Sequence, residues 1–216
     1  MKRIIHICLS ASLLATILLF ELTSFVEARP DFYVGVSQVY NSFDTEMAIY
    51  KTDDYVETEY APALDPGHGF SLGFGMEFQS CALEFDISAT HHDGTVSGGS
   101  SADADLGIFD VNFKKFIGPS RHFKPYFLVG LCLTSLEVED GSYDVYDGWG
   151  DATFTGVGLN LGYGLELKFT NVAFKGEVIY RATEFTNVSG VNASGSLSEY
   201  LDGDGLCFNV GMNLYF

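Results

Sequence analysis

The chain has 216 residues, 47% of them hydrophobic and 15% aromatic, with a formal charge of −18 at pH 7. That balance excludes nucleic acid as a partner, because a phosphate backbone needs cations opposite it. The apolar residues recur at every second position among 24 glycines instead of gathering into continuous core segments, which points to strands with two unlike faces.

Lys2 and Arg3 precede an apolar run from Ile4 to Phe20, and Val26-Glu27-Ala28 has the residue types a signal peptidase reads. The run falls short of the roughly 20 apolar residues of a spanning helix, carries His6 and Ser10, and ends at Glu21. Residues 1–28 are therefore expected to be a cleavable signal peptide and 29–216 the mature domain. Cys8 leaves with the signal, and Cys81, Cys132 and Cys207 remain. An odd number of cysteines makes no disulfide framework, so each reads as a small residue in a sheet.

A first strand is predicted at about Asp31 to Tyr40, with Phe32, Val34 and Val36 on one face and Tyr33, Gly35 and Ser37 on the other. Asn41 to Gly67 is polar and acidic and is read as a loop. The second strand, about His68 to Phe78, sets Phe70, Leu72, Phe74 and Met76 against Ser71, Gly73, Gly75 and Glu77. After Gln79 and Ser80 the third, about Cys81 to Thr90, sets Leu83, Phe85 and Ile87 against Glu84, Asp86 and Ser88. His91 to Ala102 is read as a turn. A fourth strand, about Asp103 to Ile117, opposes Phe109, Val111 and Phe113 to Asp110, Asn112 and Lys114.

The short turn Gly118 to Lys124 leads to a fifth strand, about Pro125 to Glu137, with Phe127, Val129, Leu131 and Leu133 against Tyr126, Gly130, Cys132 and Thr134. Val138 to Ala152 is another acidic loop. The sixth strand, about Thr153 to Phe169, alternates Val157, Leu159, Leu161 and Tyr163 with Gly158, Asn160, Gly162, Gly164, Glu166 and Lys168. Thr170 and Asn171 form a tight turn into a seventh, about Val172 to Phe185, where Phe174, Val178 and Tyr180 oppose Lys175, Glu177, Arg181 and Thr183. Thr186 to Gly203 is the last loop. In the eighth strand Phe208, Val210, Met212, Leu214 and Phe216 share a face, with Asn209, Gly211 and Asn213 on the other.

Eight strands joined by connections that run long, short, long, short, long, short, long predict an all-β, antiparallel up-and-down barrel with the long connections on one rim. The greasy face suits lipid and the polar face a lumen, so the barrel is expected to be transmembrane, with both chain ends on the short-turn rim. The lumen of an eight-stranded barrel is only wide enough for side chains. Its expected polar network is Glu77, Glu84, Asp86, Asp110, Lys114, Glu166, Lys168, Lys175, Glu177 and Arg181, paired across the axis because a lone buried charge is costly.

Asn209, Gly211, Leu214 and Phe216 match the four defined positions of the C-terminal assembly signal of bacterial outer-membrane β-barrels. FKPYFLVGLCL (Phe123 to Leu133) and LKFTNVAFKGEVIYRATEF (Leu167 to Phe185) add to that match. The chain thus resembles the small outer-membrane barrels typified by the OmpA transmembrane domain and the opacity-like proteins, over nearly all of the mature chain. The resemblance implies an outer-membrane location and contact with the barrel-assembly machinery through the last strand. It also implies outer-membrane lipid and lipopolysaccharide as neighbours and a monomer. It says little about activity, because these motifs encode assembly.

The expected role is structural or interactional, with adhesion or envelope integrity carried by surface loops that contact a host or environmental ligand. The alternative is a narrow gated, porin-like channel. A lipid A-modifying enzyme would need a histidine near a serine; His91, His92 and Asp93, or Ser120 with His122, are loose candidates that match no such motif, and no catalytic residue is assigned. A secreted lipocalin-like binder would have to turn its apolar face inward. Asp202-Gly203-Asp204-Gly205 and Asp147 to Asp151 offer oxygen donors but lack the spacing of a calcium loop, so no metal or cofactor is assigned.

Overall fold

The computed structural model describes residues 30–45, 48–51, 56–59, 63–95, 101–118, 120–143, 148–190 and 194–216. The signal-peptide expectation for residues 1–28 lies outside them. The described residues contain eleven strands and no helix: β1 (Asp31–Thr45), β2 (Ala48–Lys51), β3 (Val56–Glu59), β4 (Ala63–Leu64), β5 (Gly67–Glu77), β6 (Cys81–Thr95), β7 (Ser101–Phe116), β8 (Phe123–Tyr143), β9 (Gly148–Phe169), β10 (Val172–Gly190) and β11 (Ser194–Tyr215).

Eight of them, β1 and β5 to β11, make the wall. Each pairs antiparallel with its chain neighbour, and β1 pairs with β11 from Tyr33↔Tyr215 to Thr45↔Gly203, which closes the barrel. Following one ladder from Ser37 through Ser71, Ser88, Ile108, Thr134, Gly156 and Phe185 arrives at Leu201 on β11, whereas Ser37 itself faces Gly211. The circuit thus closes ten residues out of step, and that stagger is the geometric reason the strands tilt about the axis.

The short connections lie on one rim. Phe116 N–H donates to the Ser80 carbonyl at 3.0 Å, Lys168 N–H to His122 at 2.8 Å and Tyr215 N–H to Asn171 at 2.7 Å. Thr170 takes the left-handed conformation its tight turn demands (φ 37°), and Gly118 does so with no steric cost (φ 87°).

The strands run further than their apolar alternation predicts. β1 continues to Thr45, β6 to Thr95, β8 to Tyr143 and β10 to Gly190, while β9 starts at Gly148 and β11 at Ser194. Much of what reads as loop is therefore wall, and β2 and β3 form a small hairpin within the first supposed loop. A strand of 22 residues such as β9 is about 73 Å long. Tilted by roughly 40°, it rises about 55 Å against an apolar band of about 25 Å, so the wall extends well past the lipid on the long-connection side.

The two halves of the wall have opposite polarity. In the lower half Leu72, Phe74, Phe127, Leu131, Leu161 and Val210 face outward and are exposed, and carboxylates, ammoniums and amides point inward. In the upper half Phe43, Leu106, Leu136, Val138, Phe154 and Phe185 point inward and are buried, while Asp103, Asp105, Glu137 and Glu139 face out. The upper cylinder is built like a water-soluble barrel, and burial of its apolar residues holds it together outside the membrane.

Candidate functional site in the barrel lumen

All ten predicted lumen residues point inward, and register stacks them in tiers. Nearest the short-turn rim, the Glu77 carboxylate receives Lys168 at 3.1 Å, the Tyr215 hydroxyl at 2.7 Å and the Lys124 ammonium. Tyr215 also lies 2.9 Å from Glu166, to which Asn213 donates at 3.2 Å. Lys168 reaches Asp31 at 3.2 Å and sits over the Tyr215 ring.

Lys114 and Lys175 make the middle tier. Lys114 Nζ lies 2.5 Å from Glu84 and 2.7 Å from Glu177. Lys175 Nζ lies 3.2 Å from Glu84, 3.7 Å from Glu177 and 3.9 Å from Asp86. Two ammoniums thus serve three carboxylates in a space where these side chains are at most a tenth exposed. Tyr33 donates to Glu84 at 2.7 Å and Tyr126 to Glu177 at 2.6 Å. Each phenol crosses to its acceptor over a glycine of the next strand, Gly75 and Gly164 respectively. A Cβ there would collide with the tyrosine ring, so these glycines are required by the ring's position.

Above them Arg181 Nη2 meets Asp110 at 2.8 Å, and Asn160 receives Arg181 Nε at 3.1 Å while donating to Asp110 at 2.8 Å and Asn112 at 3.1 Å. Val39, Leu128, Ile179 and Cys207 fill the side of the lumen the ions leave. Toward the upper end three inward-facing, buried aromatic rings pack together. Phe185 packs edge-on against Phe43 at 6.1 Å and against Phe154 at 6.3 Å.

Sequence reasoning missed Lys124, which it placed in a turn although it shares the inward parity of Tyr126 and Leu128. It also missed the aromatic cap and the role of the three phenols as donors. Of the assembly-signal residues, Asn209 and Gly211 line the lumen side and Leu214 and Phe216 the outer side. Cys81, Cys132 and Cys207 are buried thiols.

Strand alternation splits the supposed catalytic group at the top of β6. His91 and Asp93 face outward, while His92 faces inward, accepting from Thr90 at 2.9 Å and donating Nδ1–H to the Asp65 carbonyl at 3.0 Å. Ser120 Oγ accepts the Phe123 N–H and His122 engages the Lys168 carbonyl. Asp204 faces outward and accepts the Tyr180 hydroxyl at 2.8 Å; the Asp202 side chain lies outside those described. The Asp147 to Asp151 candidate begins outside the described residues, and its side chains are not described.

The two neighbouring histidines are expected to titrate on opposite sides of 6.5. The hydrogen bond to Asp105 raises His91, and burial lowers His92. Neutral His92 therefore contributes its stability fully above pH 6.5, and that contribution is lost as pH falls through its lower folded value. A ¹⁵N-resolved imidazole titration between pH 5 and 8 checks the order, and coincident midpoints would refute it.

A closed antiparallel barrel with a lipid-facing apolar belt and an ionic lumen is a transmembrane β-barrel protein. The family model described as outer membrane protein beta-barrel domain matches residues 12–214, and the chain belongs to that family, which places it in the outer membrane. Among curated proteins no sequence matches it. Among solved structures it is similar to the outer membrane protein OprG of Pseudomonas aeruginosa, with a TM-score of 0.58 at 16% identity over 88% of this chain and 97% of that one. It is also similar to Neisserial surface protein A, with a TM-score of 0.53 at 16% identity over 86% and 97%. At these identities the likeness concerns the fold.

Proposed function

We propose that the chain is a sealed, monomeric outer-membrane barrel without catalytic activity, whose role is structural or interactional and is exercised by the part of the cylinder that stands above the lipid. One observation carries this reading. The lumen is crossed by three tiers of paired side chains and topped by the Phe43, Phe154 and Phe185 rings, so the interior has the character of a core. The acidic outer face of the upper cylinder is then the surface offered to a ligand from the environment, and divalent cations bridge its carboxylates to the phosphates of neighbouring lipopolysaccharide. A cleaved leader and recognition of Asn209, Gly211, Leu214 and Phe216 by the assembly machinery belong to the same proposal.

Purified full-length protein in a planar bilayer is expected to be electrically silent, and sustained discrete conductance would overturn the sealed reading. A narrow gated passage is the second reading, favoured by Arg181 Nη1 and the Asn41 amide. Both are buried and neither has a hydrogen-bond partner among the described residues, and water admitted to the lumen would supply one. Trimming the outer connections one at a time and measuring adhesion to cells or matrix separates an adhesive role from a purely structural one.

A further inference from the structure

The lumen charges do not balance, and the imbalance is local. Near the short-turn rim Glu77 and Glu166 meet Lys124 and Lys168, and in the upper tier Asp110 meets Arg181. The middle tier sets Glu84, Asp86 and Glu177 against Lys114 and Lys175. Among the described residues one lumen carboxylate is therefore left over, and the distances name it. Glu84 and Glu177 each have an ammonium within 2.7 Å, whereas Asp86 pairs with Lys175 at 3.9 Å. Asp86 also lies within hydrogen-bond reach of the Glu84 carboxylate and directly opposite Asp110 in the ladder. Carboxylates so placed repel one another, and an uncompensated buried charge is costly, so a positive species belongs beside Asp86.

The wall next to Asp86 offers a cradle. Asn213, Gly35, Gly73 and Asp86 follow one another along a single rung of β11, β1, β5 and β6. The middle two have no side chain, and the outer two lean over them. Asn213 Oδ1 lies 2.5 Å from where a Cβ on Gly35 would stand, and Asp86 Oδ1 lies 2.5 Å from where one on Gly73 would stand. Those two positions are about 5 Å apart, the room a hard cation needs with an oxygen at roughly 2.3 to 2.6 Å on either side. Asn213 is fully buried and its Nδ2 donates to Glu166, which fixes the amide orientation and leaves Oδ1 without a partner among the described residues. Ser37 Oγ, at the next inward position of β1, is buried and unpartnered as well. A proton on Asp86 would satisfy one acceptor, whereas a metal ion takes several oxygens at once. These donors are all oxygen, which disfavours the metals that prefer sulfur or imidazole, and the deficit is a single charge.

We propose that this cradle holds one sodium ion, bound by the Asp86 carboxylate and the Asn213 carbonyl oxygen over Gly35 and Gly73. The ion completes the charge balance of the lumen and ties β6 to β11 across the strands between them. A resident ion carries no current, so the site is independent of whether the lumen conducts.

The test is urea unfolding of the full chain in phospholipid vesicles, with sodium chloride replaced stepwise by choline chloride at constant ionic strength. Only the folded barrel forms the site, so the folding equilibrium constant should rise about tenfold for each tenfold rise in Na⁺ above the dissociation constant. Choline is too large for the cradle and should give no gain. Asp86→Asn removes the surplus carboxylate and should abolish the dependence while the barrel still forms, which heat-modifiable migration on a gel verifies. Crystals of the wild-type protein grown with thallium(I) in place of sodium should show an anomalous peak between Asp86 and Asn213, and its absence would overturn the proposal. Equal stability in sodium and choline would overturn it by leaving a proton or a water beside Asp86. A sodium dependence undiminished in Asp86→Asn would do the same, since the acidic outer wall is intact in that variant. So would a tighter response to Ca²⁺ than to Na⁺ that Asp86→Asn removes, because the ion would then be divalent.

Discussion

Replacing Lys114 by methionine should destabilise the barrel by about 3 to 5 kcal/mol, the range for removing one partner of a buried ion pair. Lys114 lies 2.5 Å from Glu84 and 2.7 Å from Glu177. Without it a single ammonium, Lys175, faces three carboxylates at 3.2 to 3.9 Å. Tyr33 and Tyr126 still donate to Glu84 and Glu177, but a hydrogen bond from a neutral phenol does not cancel a charge. Urea unfolding in phospholipid vesicles measures the loss. Adding Glu84→Gln to the methionine variant should restore much of it, because the number of uncompensated charges falls with it. A loss below about 1 kcal/mol, as for a solvated surface pair, would mean that water fills the lumen, and the gated reading would then take precedence.

Phe185→Ala should cost a similar amount, about 3 to 5 kcal/mol for a buried Phe cut back to Ala, and should also open the top of the lumen. Phe185 is the middle ring of three, touching both Phe43 and Phe154, so its loss leaves the other two without a shared partner. Gly203, on the adjacent strand, sits under the same rings, and a Cβ there would strike Phe43, so the wall has no side chain to spare for the gap. Cys132 and Cys207 lie lower in the lumen, 3% and 2% exposed, and report on access. In a Cys81→Ser background a membrane-impermeant maleimide should label them slowly in the wild-type cap and much faster in Phe185→Ala. Equally fast labelling in both would show that the rings do not seal the cylinder.

The lower half of the barrel was legible because one rule covers it. Alternation at period two separates Phe70, Leu72 and Phe74 from Ser71, Gly73 and Gly75, and the same parity carried along every strand found the ten inward charged residues. Lys124 escaped only because the strand was started at Pro125. The upper half was not legible for a physical reason. Alternation distinguishes two faces but does not say which one meets solvent, and outside the lipid the answer changes. Leu106 against Asp105, and Leu136 and Val138 against Glu137 and Glu139, keep the period while the preference reverses. A reading that equated apolar with outward therefore ended its strands where the reversal began. The phenol donors and the aromatic cap depend on tilt and stagger, which bring together Tyr33 of β1 with Glu84 of β6 and, for the cap, residues of β1, β9 and β10 that no single strand pattern relates.

The boundary where the wall changes polarity, which falls between Phe109 and Asp105 on β7 and between Leu133 and Glu137 on β8, also fixes the hydrocarbon depth this protein accepts. A thicker bilayer would press acyl tails against Asp105 and Glu137, and a thinner one would leave Ile87, Phe109 and Leu133 in water. The cylinder is in effect a gauge of its host membrane, most stable where lipid length and that change of polarity coincide.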